Sequence, residues 1–497
     1  MSFYVTTAIP YVNAAPHLGH ALELVQADVL ARHRRLRGQQ VRFLTGTDEN
    51  AFKNVTAAAA AGVDVADFVT ANADRFAALR GVLELSFDDF IRTSRDPRHA
   101  RGVAELWRRT AERGDFYQRS YTGRYCQGCE QFYEPAELPG GRCAEHGTVP
   151  ETVTESNWFF RLSGYADRVL KALETGEVRV EPAAKRNEVL AFVRAGLQDI
   201  SVSRPAARAG GWGIPVPGDP SQVVYVWWDA LANYVTALGD VGGDLHREWW
   251  QDTAERVHVI GKGIVRFHAV YWLALLLSAG LPLPTAIFVH EYLTVDGAKL
   301  SKSAGNAIDP AVLADRHGGD ALRWWLLREV ALLGDTDFTE ERLLQRYHQD
   351  LANGLGNLVN RTISLVHRYR GGTVPSAAGA DPALAGVGTD PALAGAVDRA
   401  LAGFDFRAAT DAIWAAVAAG NRLVEEARPW ELAKREQAGD TAAGAELDTV
   451  LATLVASCRA VTRELAPFLP AGAARLAAQL GDGEKVGTPE PVFPRRL

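Results

Sequence analysis

Apolar and polar positions along this chain follow two different periods, and each change of period marks a boundary. Phe3 to Ala8 is a short apolar run, as expected of a buried strand. Pro10 and Pro16 bracket a loop, because proline fixes φ and disfavours helix in the residue before it. From Leu18 the period becomes helical, with Leu22, Val25, Val29 and Leu36 recurring on one face. Arg32, Arg34, Arg35 and Arg37 load its last turns, where the helix dipole favours positive charge. Gly38 then fits a C-terminal cap. Val41 to Thr45 reads as the next strand. Strand, helix and strand in about 45 residues predict a βαβ unit and a parallel sheet.

Helical patterns are predicted from 65 to 114. Residues 115 to 160, rich in Gly, Pro, aromatics and Cys, are expected to form a small irregular module, and 165 to 200 to be helical again. Short β-rich runs return at Val223 to Val226 and Val257 to Ile260. A helix is expected from about 264 to 279, before the run Ala286 to Val289. These runs predict the second half of the parallel sheet, with the middle of the chain inserted into it. Beyond about residue 345, Ala- and Leu-rich segments predict a helical bundle, with a Gly/Pro/Ala-rich loop at Gly371 to Pro391. No internal repeat is visible.

Length and composition narrow the class. A chain of 497 residues is too long for one core, so several domains are expected. Hydrophobic residues at 47% and charged residues at 23% suit an ordinary globular protein. The most apolar run, Tyr271 to Ala279, is too short to span a bilayer. The N-terminal MSFYVTTAIPYV has no basic stretch ahead of an apolar one, so no signal peptide and a cytoplasmic location are expected. A net charge of −7 does not advertise a nucleic-acid binder, although a local basic surface can act within an acidic protein.

Three of the four cysteines lie within 18 residues. Cys126-x-x-Cys129 and Cys143-x-x-His146 are ligand pairs separated by 13 residues, a spacing that favours a structural, tetrahedral Zn²⁺. Cys458 stands alone in a helical stretch and is expected to be a small buried apolar residue.

Two further motifs point to nucleotide chemistry. His17-Leu18-Gly19-His20 sits where the first loop enters the first helix, a place where backbone N–H groups and the dipole favour an anion. Lys299-Leu300-Ser301-Lys302-Ser303 follows the tight-turn signal Asp296-Gly297. Its lysines and serines suit stabilisation of a triphosphate. Alone, each motif also fits a plain solvated loop. Together, HLGH and KLSKS resemble the HIGH and KMSKS signatures of class I aminoacyl-tRNA synthetases. The resemblance implies attack of an amino-acid carboxylate on the α-phosphorus of ATP, then transfer to the 3′ end of tRNA. His17, His20, Lys299 and Lys302 would be catalytic, with Gly19, Ser301 and Ser303 also binding ATP and Mg²⁺ on the phosphates.

The resemblance narrows to the methionyl-tRNA synthetases and covers nearly the whole chain. Ala8, Ile9 and Tyr11, in AIPY, match the segment lining the methionine pocket. Asp48, in TGTDE, matches the acid that binds the α-ammonium. Trp227, Ala230 and Tyr234, in WWDALANY, match the pocket wall, while Ile264 and His268, in GKGIVRFH, match residues closing over the thioether. Arg204, in SVSRP, matches an arginine near the active site. The chain departs from the commonest family pattern at Asn50 (usually His), Ala51 (Gly), Leu231 (Pro), Gly263 (Asp) and Glu291 (Gly). Independently of the family, a carboxylate suits the ammonium common to amino acids, and aromatic walls suit a polarisable thioether.

In the bundle, Asn357 and Arg361 are four apart and share a helix face, and Arg428-Pro429-Trp430 opens another helix. The resemblance implies that Asn357, Arg361 and Trp430 read the CAU anticodon of tRNA(Met). It also implies a monomer, because the chain ends soon after the bundle. The expected fold is α/β: a Rossmann-type parallel-sheet catalytic domain split by a zinc-containing insertion, then an α-helical anticodon-binding bundle. The expected boundaries are 1–114 and 221–290 for the catalytic halves, 115–220 for the insertion, 291–345 for the KMSKS-loop and stem-contact region, and 346–497 for the bundle. Other readings remain: a specialised relative activating another amino acid, a catalytically inactive tRNA-binding relative, and a ligase serving a non-tRNA acceptor. Intact HLGH, KLSKS, Asp48 and the anticodon triad disfavour the inactive relative. Asn357, Arg361 and Trp430 disfavour the non-tRNA acceptor.

Overall fold

The computed structural model describes residues 2–300, 307–376 and 390–495. Among these the chain forms two compact units, one of Met1–Arg80 with Ser86–His290, the other of Gly81–Leu85 with Glu291–Leu497.

The first unit is built on a six-stranded sheet. Its strands are β1 (Ser2–Thr7), β2 (Gln40–Thr47), β3 (Asp89–Arg92), β4 (Arg179–Glu181), β5 (Glu255–Gly261) and β6 (Ala286–His290). They lie in the order β3-β2-β1-β5-β6-β4, all parallel. The predicted βαβ unit is β1, helix α1 (Leu18–Leu36) and β2. Gly38 has φ +72° just past the end of α1. Chain order reverses between β1 and β5, and at such a switch point ligands of open α/β sheets bind beyond the C-terminal strand ends.

Three sequence readings need correction. The stretch 65–114 is not wholly helical: β3 falls within it, at one edge of the sheet. Residues 115–160 are only partly irregular, because Phe116–Cys126 pairs antiparallel with Glu151–Phe160 over ten residue pairs, and the irregular part lies at 134–150. The metal-ligand pairs lie at and beyond the end of Phe116–Cys126. Of the returning β-runs, only β5 and β6 join the parallel sheet, whereas Asp219–Val224 pairs antiparallel with Ser203–Pro205 and Pro215–Val216. In addition β4, within the segment 115–220, adds to the far edge of the main sheet.

Helices α2 (Phe52–Ala61), α3 (Pro97–Glu112) and α4 (Val226–Thr236) complete the part of this unit that frames the site. One apolar core runs beneath it and includes Leu44, Ile91, Trp107, Trp228, Tyr234, Ile260, Trp272 and Val289.

In the second unit, Leu293–Val295 and Ala298–Lys299 form a hairpin. Asp296 and Gly297 both have positive φ, 52° and 72°, the backbone of a tight hairpin turn. Asp337 clamps it, accepting from Thr294 Oγ1 (2.8 Å) and from Gly297 N (3.0 Å). Ser301, Lys302 and Ser303 lie outside the described residues. The predicted bundle contains α5 (Asn357–Arg370), Asp390–Ala402, Phe406–Ala427, α6 (Pro429–Gln437), Thr441–Leu465 and Pro470–Leu480. Both α5 and α6 pack on Thr441–Leu465. Of the loop expected at Gly371 to Pro391, residues 377–389 lie outside the described set, and Pro391 already belongs to a helix. Cys458 is fully buried in Thr441–Leu465. No described helix is long and apolar enough to cross a membrane.

Candidate active site

At the switch point, HLGH forms the start of α1. His17 is its N-cap: its Nδ1 accepts from Gly19 N, and His20 Nδ1 accepts in return from His17 N, each at 3.1 Å. A backbone N–H can only donate, so in each neutral ring the proton sits on Nε2. The two rings stack with centroids 3.8 Å apart. Burial, with His17 and His290 nearby, holds His20 well below the usual histidine range. The motif therefore presents N–H donors at a helix N-terminus without needing imidazolium charge.

Next to it, the loop after β1 runs beside the end of β2. Tyr11 bridges Asp48 in parallel register, and Asp48 N donates to Pro10 O at 2.9 Å. Asp48 is 2% exposed, and its Oδ1 is buried without a hydrogen-bond partner. Burial, then the neighbouring carboxyls of Asp229 and Glu130, push its pKa well above the usual aspartate range. An orphaned carboxylate oxygen in such a place costs stability unless a cation or donor meets it.

Tyr11, bridged to Asp48, packs with other apolar and aromatic side chains on the main core of this unit. Ala8, Ile9, Tyr11 and Ile264 are half-buried against the core that contains Trp227 and Tyr234. The Trp227 ring lies 5.4 Å from Tyr271 and 6.1 Å from Phe267, and Ala230 is half-buried on the same helix. Tyr234 Oη is 2.7 Å from His268 Nε2, and His268 Nδ1 is 3.0 Å from Ile264 O. Burial lowers the His268 pKa to about 4, so this ring is neutral.

Glu23, Lys53, His99, Glu130 and Asp229 were not singled out from the sequence. Glu23, one turn after His20 on α1, sits 2.9 Å from His290 Nε2. Its only signal was an acid sharing a helix face with the motif. Glu130 accepts from Lys53 N (2.8 Å), Tyr125 Oη (2.8 Å) and Arg204 Nη1 (3.2 Å). Lys53 Nζ lies 3.9 Å from the Tyr11 ring centroid and donates to Gly128 O at 2.9 Å. The cysteine cluster is thereby tied to the pocket. Arg204 is buried beside Tyr125 and Tyr225, with Nε and Nη2 unpartnered. Asn50, a departure from the family pattern, donates to Asp229 Oδ2 at 2.8 Å, and His99 Nε2 lies 2.8 Å from Asp229 Oδ1.

The ligand atoms of Cys126, Cys129, Cys143 and His146 all lie within 4.8 Å of one another. A Cβ on Gly128 would come within 2.7 Å of the His146 ring, so this glycine makes room for the fourth ligand. Three thiols and an imidazole fit a closed tetrahedral zinc site.

Comparison with known proteins decides the family. A family model described as tRNA synthetases class I (M) matches residues 3–140 and 123–363. The methionine–tRNA ligase of Caldanaerobacter subterraneus subsp. tengcongensis is 39% identical over 492 residues, covering 98% of this chain and 75% of that protein. That of Mycobacterium bovis is 41% identical over 491 residues, covering 96% and 92%. The chain belongs to the methionyl-tRNA synthetases of class I. Its fold is likewise that of the crystal structure of Mycobacterium tuberculosis methionyl-tRNA synthetase bound by methionyl-adenylate. The TM-score is 0.93 at 39% identity, with 99% of this chain and 100% of that chain covered.

In the second unit of the synthetase, Asn357 is exposed and Arg361 half-buried on α5. Arg428 adopts the left-handed region (φ 45°) just before Pro429 opens α6. Trp430 stands in the first turn, 42% exposed, which is unusual for so large an apolar side chain.

Proposed function

We propose that this chain is a methionine–tRNA ligase: it activates L-methionine with ATP to methionyl-adenylate, releasing pyrophosphate, and transfers the methionyl group to tRNA(Met). The observation that carries the reading is the buried Asp48 carboxyl, whose Oδ1 has no hydrogen-bond partner, at the end of β2 beside Tyr11. Asp48 holds the α-ammonium. Ala8, Ile9, Tyr11, Trp227, Ala230, Tyr234, Ile264 and His268 enclose the thioether side chain. A carboxylate oxygen of methionine attacks the α-phosphorus, an O–P bond forms, and the bond to the bridging oxygen of pyrophosphate breaks. The Nε2–H groups of His17 and His20, over Gly19, meet the charge that develops on the phosphoryl oxygens. Lys299, Ser301, Lys302 and Ser303 bind ATP phosphates, whose charge Mg²⁺ would offset. This chemistry depends on positioning and charge compensation more than on protein nucleophiles. A terminal ribose hydroxyl of tRNA then attacks the methionyl carbonyl and AMP leaves.

Zinc in the Cys126, Cys129, Cys143 and His146 site braces the insertion, 115–220, and Lys53 on α2 with Glu130 of the insertion connects the knuckle to Tyr11. Metal analysis should find about one zinc per chain, and stripping it with a chelator should lower the melting temperature. A metal-free protein of full activity and unchanged melting would contradict the assignment.

The bundle, 346–497, reads the CAU anticodon through Asn357, Arg361 and Trp430, with 291–345 at the tRNA stem. The enzyme works as a cytoplasmic monomer. Base stacking on an exposed indole contributes about 1–3 kcal/mol. Trp430→Ala should therefore lower kcat/KM for tRNA about 10- to 100-fold and leave adenylate formation intact. Equal loss of both activities would assign Trp430 to the core instead.

The whole reading is tested with α-labelled ATP. Methionine should yield labelled methionyl-adenylate, and CAU-bearing tRNA should then discharge it to AMP and methionyl-tRNA. Adenylate that never passes to tRNA would confine the protein to amino-acid activation.

A further inference from the structure

A buried polar chain stands behind the Tyr234 wall of the pocket and takes no part in the chemistry above. Its centre is His258 on β5, fully buried. The ring packs tilted by 30° against that of Tyr234, centroids 4.2 Å apart. His258 Nε2 is 3.1 Å from Trp272 Nε1. An indole N–H only donates, so this imidazole nitrogen accepts and the ring proton resides on Nδ1. Nδ1 is 2.7 Å from Thr6 Oγ1, and Thr6 is the register partner of His258 across β1 and β5. Burial keeps the ring well below the usual histidine pKa, hence neutral. Both nitrogens are satisfied and one tautomer is fixed.

Tyr234 is gripped elsewhere as well. Tyr4 Oη donates to its backbone carbonyl at 2.8 Å. Ile264 O can only accept, so His268 carries its proton on Nδ1, and its Nε2 accepts from Tyr234 Oη. Backbone and hydroxyl are thus held directly, and the face of the ring is held by His258. An apolar ring could fill the same volume, but it would not be held against rotation at both edges. A buried donor left unpaired costs about 1–3 kcal/mol, so Thr6, His258 and Trp272 keep or lose this orientation together.

We infer that His258, locked by Thr6 and Trp272, is a positioning residue that sets the plane of the Tyr234 ring and so the fit of the pocket to an unbranched thioether side chain. The inference rests on the methionine reading given above. It is tested by ATP–pyrophosphate exchange with Thr6→Val, Thr6→Ser, His258→Phe and the double variant Thr6→Val/His258→Phe. Thr6→Val removes the acceptor at constant shape and should raise KM for methionine about tenfold. KM for ATP should stay within about twofold, and Thr6→Ser, which keeps the hydroxyl, should restore the methionine value. His258→Phe should match Thr6→Val, and the double variant should add nothing, because Thr6 acts only through His258. Thermal melts establish that each variant folds. If Thr6→Val does not, His258→Phe carries the same comparison of KM values. An unchanged KM for methionine, equal rises for methionine and ATP, or additive effects would overturn the inference alone. Wild-type protein silent with methionine would overturn the function reading, and this inference with it.

Discussion

Asp48→Asn is expected to lower kcat/KM for methionine in ATP–pyrophosphate exchange by about a hundred- to a thousandfold, because removing one partner of a buried charge pair costs about 2–5 kcal/mol. The shape of the side chain is retained, so the loss is one of charge. The pH dependence should move with it. Burial, Asp229 and Glu130 raise the Asp48 pKa, so in the free enzyme the carboxyl binds a proton above the ordinary aspartate range. The ammonium pairs with the anion. The wild-type kcat/KM should therefore climb with pH through that raised value, and Asp48→Asn should lose this limb. Stability should respond in the opposite sense. A carboxyl whose folded pKa exceeds its unfolded one contributes stability that is present below the unfolded pKa and lost as pH rises through the folded pKa. Above that window the ionised Asp48 weakens the fold, and Asp48→Asn should melt no lower than wild type there. A variant that is inactive because it unfolds at neutral pH would remove Asp48 from substrate binding.

His20→Ala should reduce kcat for exchange by about a hundred- to a thousandfold, the usual result of deleting one preorganised donor to a developing oxyanion, while KM for methionine changes little. Because the ring is already neutral, the donor is lost and not a positive charge. The wild-type kcat should show no inflection assignable to His20 across the ordinary histidine range. His20→Gln, which can place an amide N–H near the same point, should recover part of the rate. A fall confined to KM for methionine would move His20 out of the phosphate site.

The features that carry this chemistry were legible where they are local. HLGH lies at the N-terminus of α1, and its caps are made by its own two histidines within three residues. The knuckle pairs were readable because tetrahedral metal sites impose short spacings. What escaped was built from distant partners or from very short elements. Strand β3 has four residues and β4 three, too few to show a period. The insertion sheet was concealed because Glu155 and Asn157 take inward positions beside Val153 and Phe159, which erases the hydrophobic alternation. They are tolerated there because Asn157 donates to Glu155 (2.9 Å) and Arg208 pairs with it (2.9 Å). Glu23–His290, Glu130–Arg204 and Asn50–Asp229–His99 join residues 74 to 267 positions apart within their closest long-range pairs, or link three elements at once, and no local pattern announces them. Asp48 was found by family resemblance and by its place at a strand end. Its orphaned oxygen, which gives the physical reason for substrate binding, is visible only in the fold.

The most direct test of the central claim is ATP–pyrophosphate exchange by the purified protein with each standard amino acid in turn. Methionine should support rapid exchange and the others little or none. Exchange driven by a different amino acid, or none with methionine, would contradict the account.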